Sequence, residues 1–167
     1  VITASVTSED LADLAVAIKY EDDGKAMRRE LLQNLRKATR PALVGAKASI
    51  MSMPSSGLLN PGGSLRRAIA KEIKQETKLS GRSAKVKIKV KKQQIRGFNN
   101  PAKRTNMTDG WRHPIFPKKG RKNDAAWVRQ IGKPNWFDGE MKKRHAEYRA
   151  AVKAAMDHTA ERIARNT

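Results

Sequence analysis

Residues 85–91 read Lys-Val-Lys-Ile-Lys-Val-Lys. Every second side chain is a β-branched apolar one and the rest are lysines. A half-buried strand is the regular structure with that period, so this stretch must lie in a sheet with one face covered. Residues 73–79 alternate more weakly, and Ser80-Gly81-Arg82 between the two runs supplies a hairpin loop. The outward face, with Lys85, Lys87, Lys89 and Lys91, has two readings. It is a surface for a polyanion, or a solvated face whose lysines keep the sheet from pairing edge to edge.

What covers the apolar face must be helical. Leu11, Leu14, Ala15 and Ile18 fall at the spacing of one helical stripe, which predicts a first helix over residues 8–20, capped by Thr7 or Ser8. Asp22-Asp23-Gly24 ends it. A second stripe runs Met27, Leu31, Leu35, Ala38, Ala42, Ala46, Ile50, Met53 and predicts a helix over 25–52. At 1.5 Å per residue it is about 42 Å long. Pro41 removes one amide donor inside it, which predicts a kink rather than a stop. Residues 55–63 hold Gly and Pro breakers and read as a loop, and Ser64 caps a short helix over 65–70. The last helix is expected over 136–165, capped by Asn135, with Met141, His145, Tyr148, Val152, Ala155, Met156, Thr159 and Ile163 as its stripe. Residues 1–6 read as a short, mildly apolar arm.

All three tryptophans lie between Trp111 and Trp136, in a chain that is only 5% aromatic. Aromatics carry large buried area, so this stretch is expected to anchor the core. Trp127, Trp136 and Phe137 are expected to lock the base of the last helix onto the sheet. Residues 126–131 are read as the third strand of that sheet. Between them and the hairpin, residues 93–123 show little periodicity and are read as one long loop. It contains the basic run Lys118, Lys119, Gly120, Arg121, Lys122. A loop of that length is usually functional or disordered.

The 167 residues suit one domain, and only 38% are hydrophobic, which leaves a modest core. Charge is unevenly spread. Residues 1–23 hold six acids against Lys19, a net of −5, so the remaining residues, 24–167, carry +25 of the overall +20. An acidic head on a basic body suits head-to-tail contact between copies, or two solvated faces. The basic balance draws such a chain to polyanions. With no cysteine there is no disulfide, thiolate chemistry or Cys-based metal site. No secretory signal is legible before the first helix, and no apolar run approaches the roughly 18 residues of a spanning helix.

The sequence offers no catalytic constellation, so the chain is read as a non-enzyme without cofactor or metal. His145 and His158 fall on opposite sides of one helix and cannot share a metal. His113 sits between Arg112 and Pro114, a structural setting; a small nuclease centred on it is a remote third reading. Pro61-Gly62-Gly63-Ser64-Leu65 lacks the Gly-Lys-Ser/Thr ending of a phosphate loop. Nucleic-acid binding has its general ingredients in the basic hairpin, the 118–122 run and the tryptophans. No defined binding motif accompanies them.

The motifs in order resemble those of the tail-completion family of long-tailed phage necks, also called head–tail joining or minor tail proteins, and the members from actinobacteriophages in particular. They are a basic helix ending near a proline (residues 31–41, then Pro54), Leu-Arg-Arg-Ala-Ile at 65–69, Gly-Arg-x-Ala-x-Val-x-Ile at 81–88, Arg-His-Pro-Ile-Phe at 112–116, Trp-Val-x-Gln at 127–130 and Pro-x-Trp-Phe at 134–137. The likeness covers roughly residues 25–165, with 98–109 as an insertion, and does not extend to the acidic first helix. It implies an α+β fold, a small antiparallel sheet packed against long N- and C-terminal helices. It further implies a structural virion protein of the neck, assembled in the host cytoplasm. Its copies would form a sixfold ring around the DNA path, in contact with the tail terminator, the tail tube and the head connector. Trp111, Arg112, His113, Pro114, Trp127, Arg129, Gln130, Trp136 and Phe137 are its expected assembly motif. Lys85, Lys87, Lys89, Lys91, Lys118, Lys119, Arg121 and Lys122 are the residues expected to face DNA or a partner. The alternative is a basic nucleic-acid-binding protein without catalysis.

Overall fold

The computed structural model describes residues 2–6, 9–54, 65–80, 84–95, 98–115 and 126–166. It is an α+β fold whose main sheet has three antiparallel strands in the order β1–β3–β2: β1 (Ile2–Val6), β2 (Ile73–Lys78) and β3 (Lys85–Val90). The alternating stretch is the central strand. Val86, Ile88 and Val90 are buried, while Lys85, Lys87 and Lys89 are half-buried. Register sets Ile73, Gln75 and Thr77 opposite the buried trio, and Lys74, Glu76 and Lys78 opposite the lysines.

The third strand is not residues 126–131, as the sequence suggested. It is β1, which was read as an arm. Ile2, Ala4 and Val6 pair with Val90, Ile88 and Val86, so the weak alternation of β1 matches that of β3 position for position. A central strand needs two neighbours to satisfy its backbone groups, and the chain's beginning supplies the second.

The apolar face shares one core with the helices. Helix α1 (Glu9–Ala17) continues into a 3-10 turn (Ile18–Tyr20), and Leu11, Leu14, Ala15 and Ile18 are buried as their spacing predicts. Helix α2 (Gly24–Met51) buries Met27, Leu31, Leu35, Ala42, Ala46 and Ile50. It runs through Pro41 without a stop. Buried Thr39 donates to the Leu35 carbonyl at 3.0 Å, giving its hydroxyl a partner inside the helix. A short helix α3 (Leu65–Lys71) leads into β2. The Gly-rich loop, the Ser64 cap, the Thr7/Ser8 cap and Gly81-Arg82 of the hairpin loop lie outside the described residues.

The C-terminal helix is two helices. Helix α5 (Asp138–Lys143) and helix α6 (His145–Asn166) are separated by Arg144, whose backbone sits at φ −100°, ψ 8°. No glycine or proline marks the break. The Arg144 side chain ties its two ends together, bonding Glu140 in α5 at 2.5 Å and approaching Glu147 in α6 at 3.4 Å. Gly45 of α2 lets this corner approach, since a Cβ there would lie 2.3 Å from Glu140 Oε1. In α6 the buried line is Tyr148, Val152, Ala155 and Thr159. The Tyr148 hydroxyl donates to the Val86 carbonyl at 3.1 Å, joining α6 to the central strand. Burial pushes that phenol up to about 12. His145, expected on the stripe, is the first residue after the break and is exposed.

Residues 93–123 are not one loop. They contain a small pair of strands, β4 (Gln94–Ile95) with β5 (Phe98–Asn99), then helix α4 (Pro101–Asn106) and strand β6 (Trp111–Ile115). Strand β6 pairs antiparallel with β7 (Ala126–Gln130) in a two-stranded ribbon separate from the main sheet. Residues 126–130 are therefore extended as expected, but their partner is β6.

Candidate interaction surface

The aromatic stretch divides into two regions with opposite environments. In the first, Trp136 and Phe137 are fully buried, edge to face with ring centres 5.6 Å apart. Both are held by α4. Trp136 Nε1 donates to Thr105 Oγ1 at 3.1 Å, and the Thr105 hydroxyl in turn donates to the Pro101 carbonyl at 2.9 Å. The Phe137 amide donates to Asn106 Oδ1 at 2.8 Å, the Asn106 side-chain amide donates to the Asp138 carboxylate, and the Asn135 amide donates to the Asn106 carbonyl at 2.8 Å. Asn135 itself has φ 55°. It turns the chain rather than capping a helix, which begins at Asp138. Thr105 and Asn106, on the 98–109 insertion, are residues that sequence reasoning missed. The signal available was Asn100-Pro101, a proline at a helix's first position.

The second region is the ribbon. Trp127, expected to lock the last helix, is 58% exposed on it, and Ile131 just beyond its end is 56% exposed. Val128, Arg129 and Gln130 are exposed as well. Register puts Arg112 opposite Arg129 and Trp127 opposite Pro114, so Arg112, Trp127 and Arg129 share one face. On the other face Trp111 is half-buried against Phe98, ring centres 5.1 Å apart, with the Arg104 guanidinium over Phe98. Close backbone approaches and two basic side chains fix the base of the ribbon. Gly110, at φ 64°, has its Cα against Gln130: a Cβ would lie 2.1 Å from the Gln130 carbonyl oxygen. Gly132 abuts Thr105 in the same way. Arg129 Nε donates to the Asp109 carbonyl at 2.7 Å. Lys133 reaches the end of α2, donating to Ser49 O at 3.1 Å and Ser52 Oγ at 2.7 Å, where the helix dipole favours a cation.

The side chains of His113 and Pro114, and the whole of Lys118, Lys119, Arg121 and Lys122, lie outside the described residues. By sequence that basic run connects β6 to β7.

The lysine face of the main sheet is less open than its sequence suggests. Glu76 sits among the lysines, paired with Lys89 and 3.5 Å from Lys87. The Lys89 hydrogen bond outweighs the opposing effect of burial, and with the charge of Lys87 it holds the Glu76 carboxyl below the usual carboxylate range. Of the four lysines only Lys91 is fully exposed.

The acidic head is partly tied to its own chain. Asp23 and Glu30 both bind the Arg162 guanidinium of α6, and His158 lies 3.7 Å from Glu30. Glu9, Asp10, Asp13 and Asp22 are exposed. Among the described residues no cluster of three or more His, Asp or Glu side chains can hold a metal ion, and no helix is long and apolar enough to cross a membrane. No family model matches the chain, and neither the curated proteins nor the solved structures compared with it gave a match.

Proposed function

We propose that the chain is a structural protein of a phage neck, a tail-completion protein that joins the tail tube to the head connector as a ring of copies around the DNA path. The observation that carries this reading is the ribbon. A chain with few aromatics leaves Trp127 in solvent on one face of a two-stranded element, Val128 exposed on its other face and Ile131 exposed just beyond its end. Isolated two-stranded ribbons are marginal in water, and a neighbouring molecule that covers the exposed tryptophan would both steady the ribbon and bury its apolar side chains. An assembly protein has a use for both. The order of motifs from the basic helix to Pro-x-Trp-Phe supports the same reading.

The test is a particle lacking the protein. Complete tails and filled heads that fail to join are the expected result; normal joining would reject the role. One observation favours a second reading. Trp127 beside the Arg112–Arg129 pair is also a stacking platform for single-stranded nucleic acid. That reading expects tight binding of the free protein to an oligonucleotide with a steep salt slope.

A further inference from the structure

The ribbon's exposed face needs an occupant, and the chain carries a surface that suits it. On the outside of α1 and its 3-10 continuation, Asp10, Asp13, Val16 and Tyr20 follow one another at spacings of three, three and four, a single outward line. It begins acidic and ends apolar. Tyr20 is 85% exposed and Val16 39%. Immediately after it come Glu21, Asp22 and Asp23, which line a cleft of about 580 Å³ together with Lys19, Lys25 and Arg28, so the free acids of this face are those of the α1 line rather than of the cleft. Among the described residues Asp10 and Asp13 have no ion-pair partner, whereas Asp23 is taken by Arg162.

We infer that the ribbon face of one copy, Arg112, Trp127 and Arg129, docks on the α1 face of a second copy, with Trp127 against Tyr20 and Val16 and the arginines toward the acids. This rests on the assembly reading above and names the contact within it. The argument is complementarity in both charge and polarity. Each surface has an exposed aromatic; on the α1 line Asp10 and Asp13 are unpaired acids, and on the ribbon Arg112 has no ion-pair partner among the described residues, while Arg129 is shared with Asp109. Nucleic acid would satisfy the arginines and Trp127 but would leave the α1 line unexplained, and the acids there would repel it. The two patches sit on different parts of the chain, α1 against α6 and the ribbon on α4. The contact is therefore heterologous, the type that closes into a ring or propagates.

The absence of cysteine makes the test direct. Two full-length variants are prepared, Lys19→Cys beside Tyr20 and Ile131→Cys just beyond the end of β7, both at exposed positions. They are treated with a short bis-maleimide separately and as a mixture, at low salt. The mixture is expected to give several-fold more covalent dimer than either variant alone. Salt at about 1 M, where screening acts within about 3 Å, should remove most of that excess. Asp13→Arg in the Lys19→Cys partner should reduce the dimer, and Arg112→Asp in the Ile131→Cys partner should restore it. Equal product in mixed and single reactions overturns the contact. So does quenching of Trp127 fluorescence by a single-stranded oligonucleotide without mixed cross-linking, which assigns the ribbon to nucleic acid. Failure here with particles that still need the protein for joining sinks the contact and leaves the neck role. Cross-linking with joining unaffected does the reverse.

Discussion

Trp136 and Trp127 stand in the same short stretch of sequence, and the fold treats them as opposites. Trp136 is 1% exposed with its indole N–H satisfied by Thr105, while Trp127 is 58% exposed on a ribbon. The difference lies in what surrounds each backbone. Residues 134–137 are folded back on α4, where Asn106 binds three of their neighbours at once through its carbonyl and its side-chain amide. Residues 126–130 are extended, and their one partner strand covers an edge but neither face. A tryptophan is therefore a core anchor only where a second layer exists to receive it.

Mutation can break that comparison. Trp136→Ala should have the largest effect, about 3–5 kcal/mol for a buried aromatic, with Thr105 left short of a donor. Denaturant unfolding should show little or no native baseline. A midpoint near that of the parent would mean that the buried region does not hold the helices to the rest.

Asn106→Ala comes next. It removes the acceptor of the Phe137 amide and the donor to Asp138, at a cost of about 1–3 kcal/mol for a buried amide left unpaired. The same measurement checks it, and a shift of a few tenths would show that water replaces the side chain.

Gly110→Ala tests the ribbon side. Its φ of 64° and the 2.1 Å approach to Gln130 O leave no room for a Cβ, and strain of that kind costs about 1–3 kcal/mol. Opening the ribbon relieves it. Amide exchange should accelerate across β6 and β7 while the global unfolding midpoint moves much less. Equal movement of both would show that ribbon and core unfold as one unit.

Tyr148→Phe, on the core side, should cost about 1 kcal/mol through loss of the bond to Val86. It also carries a pH signature. The folded phenol titrates near 12 against an unfolded value near 10. Its contribution is thus complete below pH 10 and is lost as pH rises from 10 to 12. Parent stability should fall across that window, and the phenylalanine variant should show a shallower fall.

Trp127→Ala should have the smallest effect on stability, within about 0.5 kcal/mol as for other surface changes. A loss comparable to that of Trp136→Ala would overturn the contrast between the two regions.

Much of the fold follows from local pattern. The period of residues 85–91 gives β3 and its buried face, because no other regular structure places alternate side chains on one side. The stripes of α1 and α2 bury the residues their spacing names except Ala38, which is half-buried while Thr39 beside it is buried, and α2 ends within a residue or two of the expected limits. Strand β1 is not read from the sequence, because five residues with a weak alternation look the same as a short arm until β3 offers them an edge. At the candidate site, the sequence identified the aromatic stretch and the strand at 126–130 but not which of its tryptophans would be buried.

Strand pairing, the helix break and the fate of each tryptophan were decided by tertiary structure. A strand's own residues specify its faces but not which edge it joins, so β7 is equally compatible with the main sheet or with β6. Arg144 interrupts the last helix with no breaker residue, held by Glu140 and Glu147 on either side. Thr105 and Asn106 matter because folding brings them beside residues some thirty positions away in the chain. Local periodicity carries which face of an element is apolar. Which other element covers that face is a property of long-range contacts, and these are written in no single stretch of the sequence.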